Sequence, residues 1–381
     1  MRLKQFPADF RVEECTDVIP TATGDYALYV LEKEGRGTLE VVEEVARKLH
    51  VERKAIGYGG LKDAHARTRQ HLTIRSGPRR GVRAADWRLE YLGQVATPFR
   101  SANIRANRFH LVVRQVAAEV APDLARRIHD LRSRGFPNYF DDQRFGSVGP
   151  GGDFVARRLF RGEHEAALQL ALTTPYGSDR AIEGQKKQIK KAWGDWARLA
   201  RAITLPHVRP ALLHLANRPG DFLGALGRLD AEQMRLFLQA YQSDLWNRWL
   251  SCLFTADRTL TVGEVTIGPR RLAVPNLPPP DLEHLPYPTM HLANEPAQPM
   301  RAVLARILAA DGLTLEQLAP PPALPFGLAP GTRAVWCRPA QLQVQVAVDE
   351  YHAGFHKLIL RFELPRGAYA TMLVKSAMLH A

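Results

Sequence analysis

The stretch "GYGGLKDAHARTRQ" (57–70) places a single carboxylate, Asp63, among Lys62, His65, Arg67 and Arg69, just after a tight glycine turn. An aspartate surrounded by cations keeps a low pKa and stays ionised at neutral pH, so it can serve as a nucleophile or a base. On composition alone, an aspartate that caps a turn is the plainer interpretation. A second cluster shifts that balance. In "GFPNYFDDQRFGSVGPGG" (135–152), Phe136, Tyr139, Phe140 and Phe145 interleave with Asn138, Gln143 and Arg144 between glycine turns. Aromatics mixed with amides and arginine suit stacking on an unpaired base and hydrogen bonding to its edge. A buried aromatic turn is the competing possibility.

Other chemistries lack their residues. Gly57 and Gly59 begin a dinucleotide-type pattern, but Lys62 stands where the third glycine belongs, and no Walker A pattern occurs. His352 and His356 in "EYHAGFH" are four apart, yet Gly354 and the flanking strand patterns oppose a helix that would turn both to one metal. They read as ordinary polar residues. Asp63 and His65 have no third ligand nearby, and no Gly-x-Ser-x-Gly anchors a serine triad. Cys15, Cys252 and Cys337 are far apart and indicate neither a disulfide framework nor a metal site.

The elements that must hold these residues are mixed. "DYALYVLEK" (25–33) reads as a strand, followed by a Gly-rich turn and a helix that Thr38 can cap, with Val41, Val42, Val45, Ala46 and Leu49 on one stripe. "RQHLTIRS" and "NRFHLVVRQV" alternate as strands do. "PDLARRIHDLRSRG" (122–135) reads as a helix with Leu124, Ile128 and Leu131 inward and Gly135 just past its end. Residues 160–250 are mostly helical. There Asp230 and Gln233 form a capping-box pattern ahead of a core stripe of Met234, Phe237, Tyr241, Leu245 and Trp249. Proline clusters at 275–281 and 319–325 mark loops or domain edges. Beyond them, "QLQVQVAVDE" sets Leu342, Val344, Val346 and Val348 on one face and Gln341, Gln343 and Gln345 on the other, and "KLILRFELP" repeats the alternation. These are strands of a half-solvated antiparallel sheet. Strand signals at both chain ends predict an α/β sheet domain built from both termini, with a helical domain inserted between them.

The totals bound the function. The chain has 381 residues, with 45% hydrophobic and 24% charged residues, as in ordinary globular proteins. A formal charge of +13 favours a polyanionic partner through counterion release, although a basic surface without a partner is compatible with it. No run approaches the roughly 18 apolar residues of a membrane span. "MRLKQFPADFRVEE" lacks the apolar core of a signal peptide, so a cytoplasmic location is expected. No long apolar surface helix stands out, which predicts a monomer.

Four patches together resemble the tRNA pseudouridine synthase D (TruD) family. "PADFRVEE" looks like its opening strand, "GYGGLKDAHARTRQ" its Gly-x-Lys-Asp motif, "PNYFDDQRFG" its Asn-Tyr-Phe-x-x-Gln-Arg-Phe-Gly signature, and "LPRGAYATMLVK" its closing segment. "YQSDLWN" is a weaker fifth. The resemblance implies cofactor-free isomerisation of uridine to pseudouridine at position 13 of certain tRNAs. It also implies a catalytic domain (1–160 and 326–381) with a mixed, mainly antiparallel sheet and flanking helices, plus an inserted, mostly helical TRUD domain (161–325). Carried over by motif, Asp63 is catalytic, Phe140 and Tyr369 sandwich the base, and Asn138 hydrogen-bonds near Asp63 or the uracil edge. Phe10 lines the pocket, Lys4 pairs with Asp63 or a phosphate, and Arg144 is structural. No metal is implied.

The sequence departs from the family pattern at Asp141, where a glycine is usual, and at Lys375 and Ser376, where Arg-Glu is usual. A left-handed turn is expected at Asp141, and phosphate contact or sheet-edge pairing is in doubt at the other two. The basic run "GQKKQIKKAW" (184–193) is a candidate RNA-backbone contact or a solvated helix face. A non-catalytic RNA-binding protein and a small-molecule lyase or isomerase using Asp63 are the rival functions.

Overall fold

The computed structural model describes residues 1–175, 180–255, 261–294, 299–322, 324 and 326–379. Residues 323 and 325 of the second proline cluster lie outside this set. The chain forms two compact units, Met1–Phe136 with Cys337–Ala381, and Pro137–Trp336. These divisions fall at 136/137 and 336/337, whereas the sequence suggested 160/161 and 325/326. The difference at the first boundary lies in the aromatic loop, whose Tyr139 and Phe140 pack with residues of the second unit.

The first unit holds a ten-stranded sheet. Its strands are β1 (Arg2–Leu3), β2 (Phe10–Cys15), β3 (Tyr26–Glu34), β4 (Ile56–Tyr58), β5 (Arg67–Arg75), β6 (Val82–Arg83), β7 (Trp87–Val95), β8 (Ala106–Ala117), β9 (Ala340–Val348) and β10 (Phe355–Pro365). The order is β9-β10-β8-β2-β5-β3-β7-β6, with β1 beside β8 and β4 beside β5. Only the β2–β5 pairing is parallel, so the sheet is mixed and mainly antiparallel. Strand β3 is buried on both faces. Ala27, Tyr29 and Leu31 pack with Val41, Val42 and Val45 of helix α1 (Thr38–Leu49), while Leu28 packs with Phe99 and Ile104. Helix α2 (Ala121–Arg134) buries Leu124, Ile128 and Leu131, and Gly135 ends it at φ 74°, a backbone that favours glycine. On β9, Leu342 is buried, but Val348, at the strand's far end, is 70% exposed.

Thr38 does not cap α1. The extended residue before the helix is Gly37, and Thr38 is the first helical residue. Its hydroxyl is drawn instead to Gln70 and to the backbone of Lys62.

The second unit is built around a long helix, α3 (Ala231–Phe254), and Asp230 does cap it, accepting from the amides of Glu232 and Gln233. The stripe from Met234 to Trp249 is core, as its spacing indicates. Polar residues of α3 are buried too. Asp244 is fully buried and accepts from the Arg270 guanidinium at 2.8 Å, and such pairing is what allows a charge to sit there. In the run 184–193, Lys186 is buried and donates to the Thr174 carbonyl, so it is not available to a nucleic acid, while Lys187, Lys190 and Lys191 are exposed. Among the described residues, no helix is long and apolar enough to cross a membrane.

Candidate active site

Asp63 lies in the loop between β4 and β5, and the chain around it leaves little freedom. A Cβ on Gly59 would stand 2.5 Å from the Ile104 side chain, so only glycine lets the loop approach Ile104 and Phe99 this closely. Three polar anchors then hold the loop on the sheet. The Thr38 hydroxyl accepts from the Lys62 amide at 2.9 Å and donates to Gln70 Oε1 at 2.9 Å, and Gln70 Nε2 donates to the Gly60 carbonyl. Lys62 Nζ meets the buried carboxylate of Glu14 at 2.7 Å and donates to Asn107. Lys33, 2% exposed on β3, donates to the carbonyls of Arg36 at 2.7 Å and Asp63 at 3.0 Å. Burial lowers the Lys33 pKa to about 8.

The Asp63 carboxylate is thereby presented with its own partners. Oδ1 accepts from the His65 amide at 2.9 Å, and Oδ2 accepts from Lys4 Nζ. Burial pushes the Asp63 pKa up, but the hydrogen bond and charge of Lys4, together with His65, outweigh it and hold the carboxyl below its ordinary value. The side chain keeps 19% of its surface exposed, enough to meet a ligand.

Lys4 has an unusual backbone, with φ at 55°. A lysine rarely adopts this left-handed region, and it persists where surrounding contacts fix it. Here His65 Nε2 bonds the Lys4 carbonyl at 2.9 Å, and Lys4 Nζ lies 4.0 Å from the centre of the Phe10 ring. The structure therefore brings Asp63, Lys4 and Phe10 into contact. Phe10 is 5% exposed and packs edge-on against Phe109, so it supports Lys4 more than it lines an open pocket.

The other expected residues have contacts of their own. Tyr369 is half-buried at the start of helix α4 (Ala370–Met378), in the same unit as Asp63. Asn138 and Phe140 belong to the second unit. There the Asn138 amide donates to the Ala334 carbonyl and accepts from Arg333. Phe140 is 6% exposed, with Trp246 edge-on and the Arg333 guanidinium 4.1 Å from its ring centre. Its amide and carbonyl both bond Asn247 of α3, at 2.9 and 2.8 Å. This gives the "YQSDLWN" helix a physical task, fixing the backbone of the "PNYFDDQRFG" loop. Arg144 bonds Gln239 within the same unit.

Two expectations about the departures need correction. Asp141 is extended, at φ −102°, and needs no glycine; its carboxylate caps the short 3-10 turn Asp142–Phe145 by accepting from the Asp142 amide. Lys375 and Ser376 lie within α4, so sheet-edge pairing does not arise there. His356 falls in β10, and His352 bonds Gln5.

Sequence patterns gave no sign of Lys33, Glu14 or Thr38 as parts of this site. Each lies where a solvent-facing or capping role was the simpler choice, and only the fold of the loop over the sheet reveals them.

The arrangement of strands and helices matches a known architecture. It superposes on the crystal structure of a Methanosarcina mazei protein assigned to tRNA pseudouridine synthase D with a TM-score of 0.68, covering 99% of this chain and 93% of that one at 22% identity. At that identity the likeness defines the class of fold, that of the pseudouridine synthases. The sequence then specifies the family. The family profile of tRNA pseudouridine synthase D (TruD) matches residues 1–269. A Geobacter sulfurreducens tRNA pseudouridine synthase D is 31% identical over 98% of this chain and 93% of its own length. A Methanococcus maripaludis relative, "Probable tRNA pseudouridine synthase D 1", is 29% identical over 98% of both chains. The chain belongs to the TruD family, and so to the isomerases that act on tRNA.

Proposed function

We propose that this chain converts uridine 13 of tRNA to pseudouridine, with Asp63 as the catalytic residue. Lys4 sets the charge state of Asp63, Phe10 supports Lys4, and Asn138, Phe140 and Tyr369 contact the target nucleotide. The unit built from both chain ends carries the chemistry. The protein acts as a cytoplasmic monomer.

One observation carries this reading: the Asp63 carboxylate is held by Lys4 and the His65 amide while 19% of its side chain stays exposed, in a loop anchored at several points. The reaction breaks the N1–C1′ bond of uridine and forms a C5–C1′ bond. C5 loses a proton and N1 gains one, so no outside oxidant, reductant or group donor is required. An ionised carboxylate against the nucleotide assists cleavage by attacking the ribose or the base, or by removing a ribose proton. Because the target base must leave its stack, aromatic partners are expected near it. For Phe140 this requires that a face of the ring be uncovered when RNA binds.

The test is release of tritium from C5-labelled uridine in unmodified tRNA transcripts. Wild type should release it, Asp63→Asn should bind tRNA without release, and a transcript with cytidine at position 13 should not react. Release by Asp63→Asn would remove the catalytic assignment. Unchanged release from the position-13 variant would redirect the reaction to another uridine.

A further inference from the structure

The strand register sorts the outer face of the sheet, the one opposite Phe10 and Glu14, into two rows of very different charge. One row runs Arg88, Glu32, Arg69, Glu13, Arg108, Glu363 across β7, β3, β5, β2, β8 and β10. Every neighbouring pair in it is an ion pair, at 3.0, 3.4, 2.6, 3.7 and 2.8 Å in that order. The row's six charges cancel, and Glu363 at its end also meets Arg105 at 3.9 Å.

The adjacent row, two residues along each strand, is different. Arg67, Arg11, His110 and Arg361 stand side by side on β5, β2, β8 and β10. Glu34 lies beyond Arg67 on β3, and Gln343 lies beyond Arg361 on β9. Among the described residues, none of the three arginines has a carboxylate within ion-pair distance; the Arg11 guanidinium bonds only the Ala8 carbonyl, at 3.2 Å. All three are exposed. His110 Nδ1 is buried without a hydrogen-bond partner among the described residues. Burial lowers the His110 pKa, as do Arg11 and Arg361 on either side. Like charges facing each other across strands are destabilising. Neighbouring strands are about 4.8 Å apart, so the row spans about 14 Å. The three arginines and His110 line one pocket, which Glu13, Glu32, Arg69 and Arg108 of the paired row border on its other side.

We propose that this row binds backbone phosphates of the tRNA at a surface separate from the Asp63 site. Unpaired arginines in a line supply forked donors to successive phosphate oxygens, and a bound polyanion removes the repulsion that the free protein retains. The arginines of the row beside it are already compensated by carboxylates, so the uncompensated charge on this face lies with Arg11, Arg67 and Arg361. The proposal rests on tRNA being the substrate.

The experiment measures tRNA binding by fluorescence anisotropy at several salt concentrations. It compares wild type, the triple variant Arg11→Gln/Arg67→Gln/Arg361→Gln, and Arg88→Gln from the neutral row. The slope of log affinity against log salt should fall by about 2 to 3 in the triple variant and stay nearly unchanged in Arg88→Gln. A short hairpin containing only the target uridine and its stem should bind the triple variant as it binds wild type. An unchanged slope in a triple variant of wild-type melting temperature overturns the proposal. Equal weakening of hairpin and tRNA overturns it too, because the row would then belong to the Asp63 site. Binding is read without turnover, so a failure of the catalytic assignment shows separately, as intact salt-dependent binding without tritium release.

Discussion

Lys33 Nζ donates a 3.0 Å hydrogen bond to the backbone carbonyl of Asp63, from a side chain that is 2% exposed. The lysine therefore fixes where the carboxylate stands without touching it, by bridging the loop to the Arg36 carbonyl at 2.7 Å. Replacing it with Met keeps the stem and removes both bonds. Lys33→Met should lower the single-turnover rate by up to about 100-fold, the scale of an ångström-sized misplacement. Binding of tRNA should change little. A variant with wild-type rate would show that Gln70, Thr38 and Lys62 suffice to hold the loop.

Lys33 also gives a pH signature. Its folded pKa, about 8, is below its ordinary 10.5. Between those values the unfolded chain binds more protons than the folded one, so wild-type stability should rise with pH there. Lys33→Met lacks this contribution. The melting temperature of wild type minus that of the variant should therefore increase from pH 8 to 10. A flat difference would mean that Lys33 is not titrating in a buried site.

Lys4 is expected to set the acid limit of the reaction. With Lys4 present, the Asp63 pKa is below the ordinary 3.8, so the rate should hold down to mildly acidic pH. Lys4→Met removes the hydrogen bond and charge that oppose burial. The Asp63 pKa then rises, and the acid limb of the single-turnover pH profile should shift to higher pH. A limb that stays in place would assign the low pKa to His65 instead.

Much of the frame could be read from periodicity, because alternation and 3.6-residue stripes are local properties. Strands β3, β5, β8, β9 and β10, the α1 and α3 stripes and the Asp230 cap follow from it. Thr38 was misplaced because a threonine before an apolar stripe is a good cap, and only the fold shows Gln70 and Lys62 competing for its hydroxyl. Lys33 is invisible for a different reason. In "YALYVLEK" it has the place of a solvent-facing residue at a strand end, and its burial comes from a loop that begins 26 residues later. The charge rows depend on register between strands up to 350 residues apart, such as Glu13 and Glu363 flanking Arg108, which no local pattern encodes. Asn138 and Phe140 are singled out by motif alone; their packing around Arg333 and Asn247 is not foreseeable from spacing.

The two glycines after Tyr58 should behave differently. A Cβ on Gly59 meets Ile104 at 2.5 and 2.9 Å and Phe99 at 3.1 Å, whereas one on Gly60 meets nothing within 4 Å. Gly59→Ala must push the loop off the core, costing about 1–3 kcal/mol by overpacking, and it should reduce activity with it. Gly60→Ala should leave melting temperature and rate close to wild type. Equal effects of the two would show that backbone freedom, not close approach, selects glycine here.

Glu14 should report on how firmly the Asp63 loop is tied to the sheet. Its buried carboxylate accepts from the His71 amide at 2.8 Å and pairs with Lys62 at 2.7 Å. Burial raises the Glu14 pKa, but the His71 and Lys62 interactions outweigh it and leave the group below its ordinary 4.5. A carboxylate with a depressed folded pKa stabilises the protein above its unfolded value and loses that contribution as pH falls through the folded one. Glu14→Gln keeps an acceptor for His71 but leaves the Lys62 charge without its counter-ion, a loss of about 3 kcal/mol by the scale of broken buried pairs. The gap in melting temperature between wild type and Glu14→Gln should therefore be full at pH 6 to 7 and shrink below pH 4.5. Because Lys62 directly precedes Asp63, the variant should also slow pseudouridine formation at neutral pH while tRNA binding persists. A constant gap across the acid range would mean that the pair is not what secures the loop.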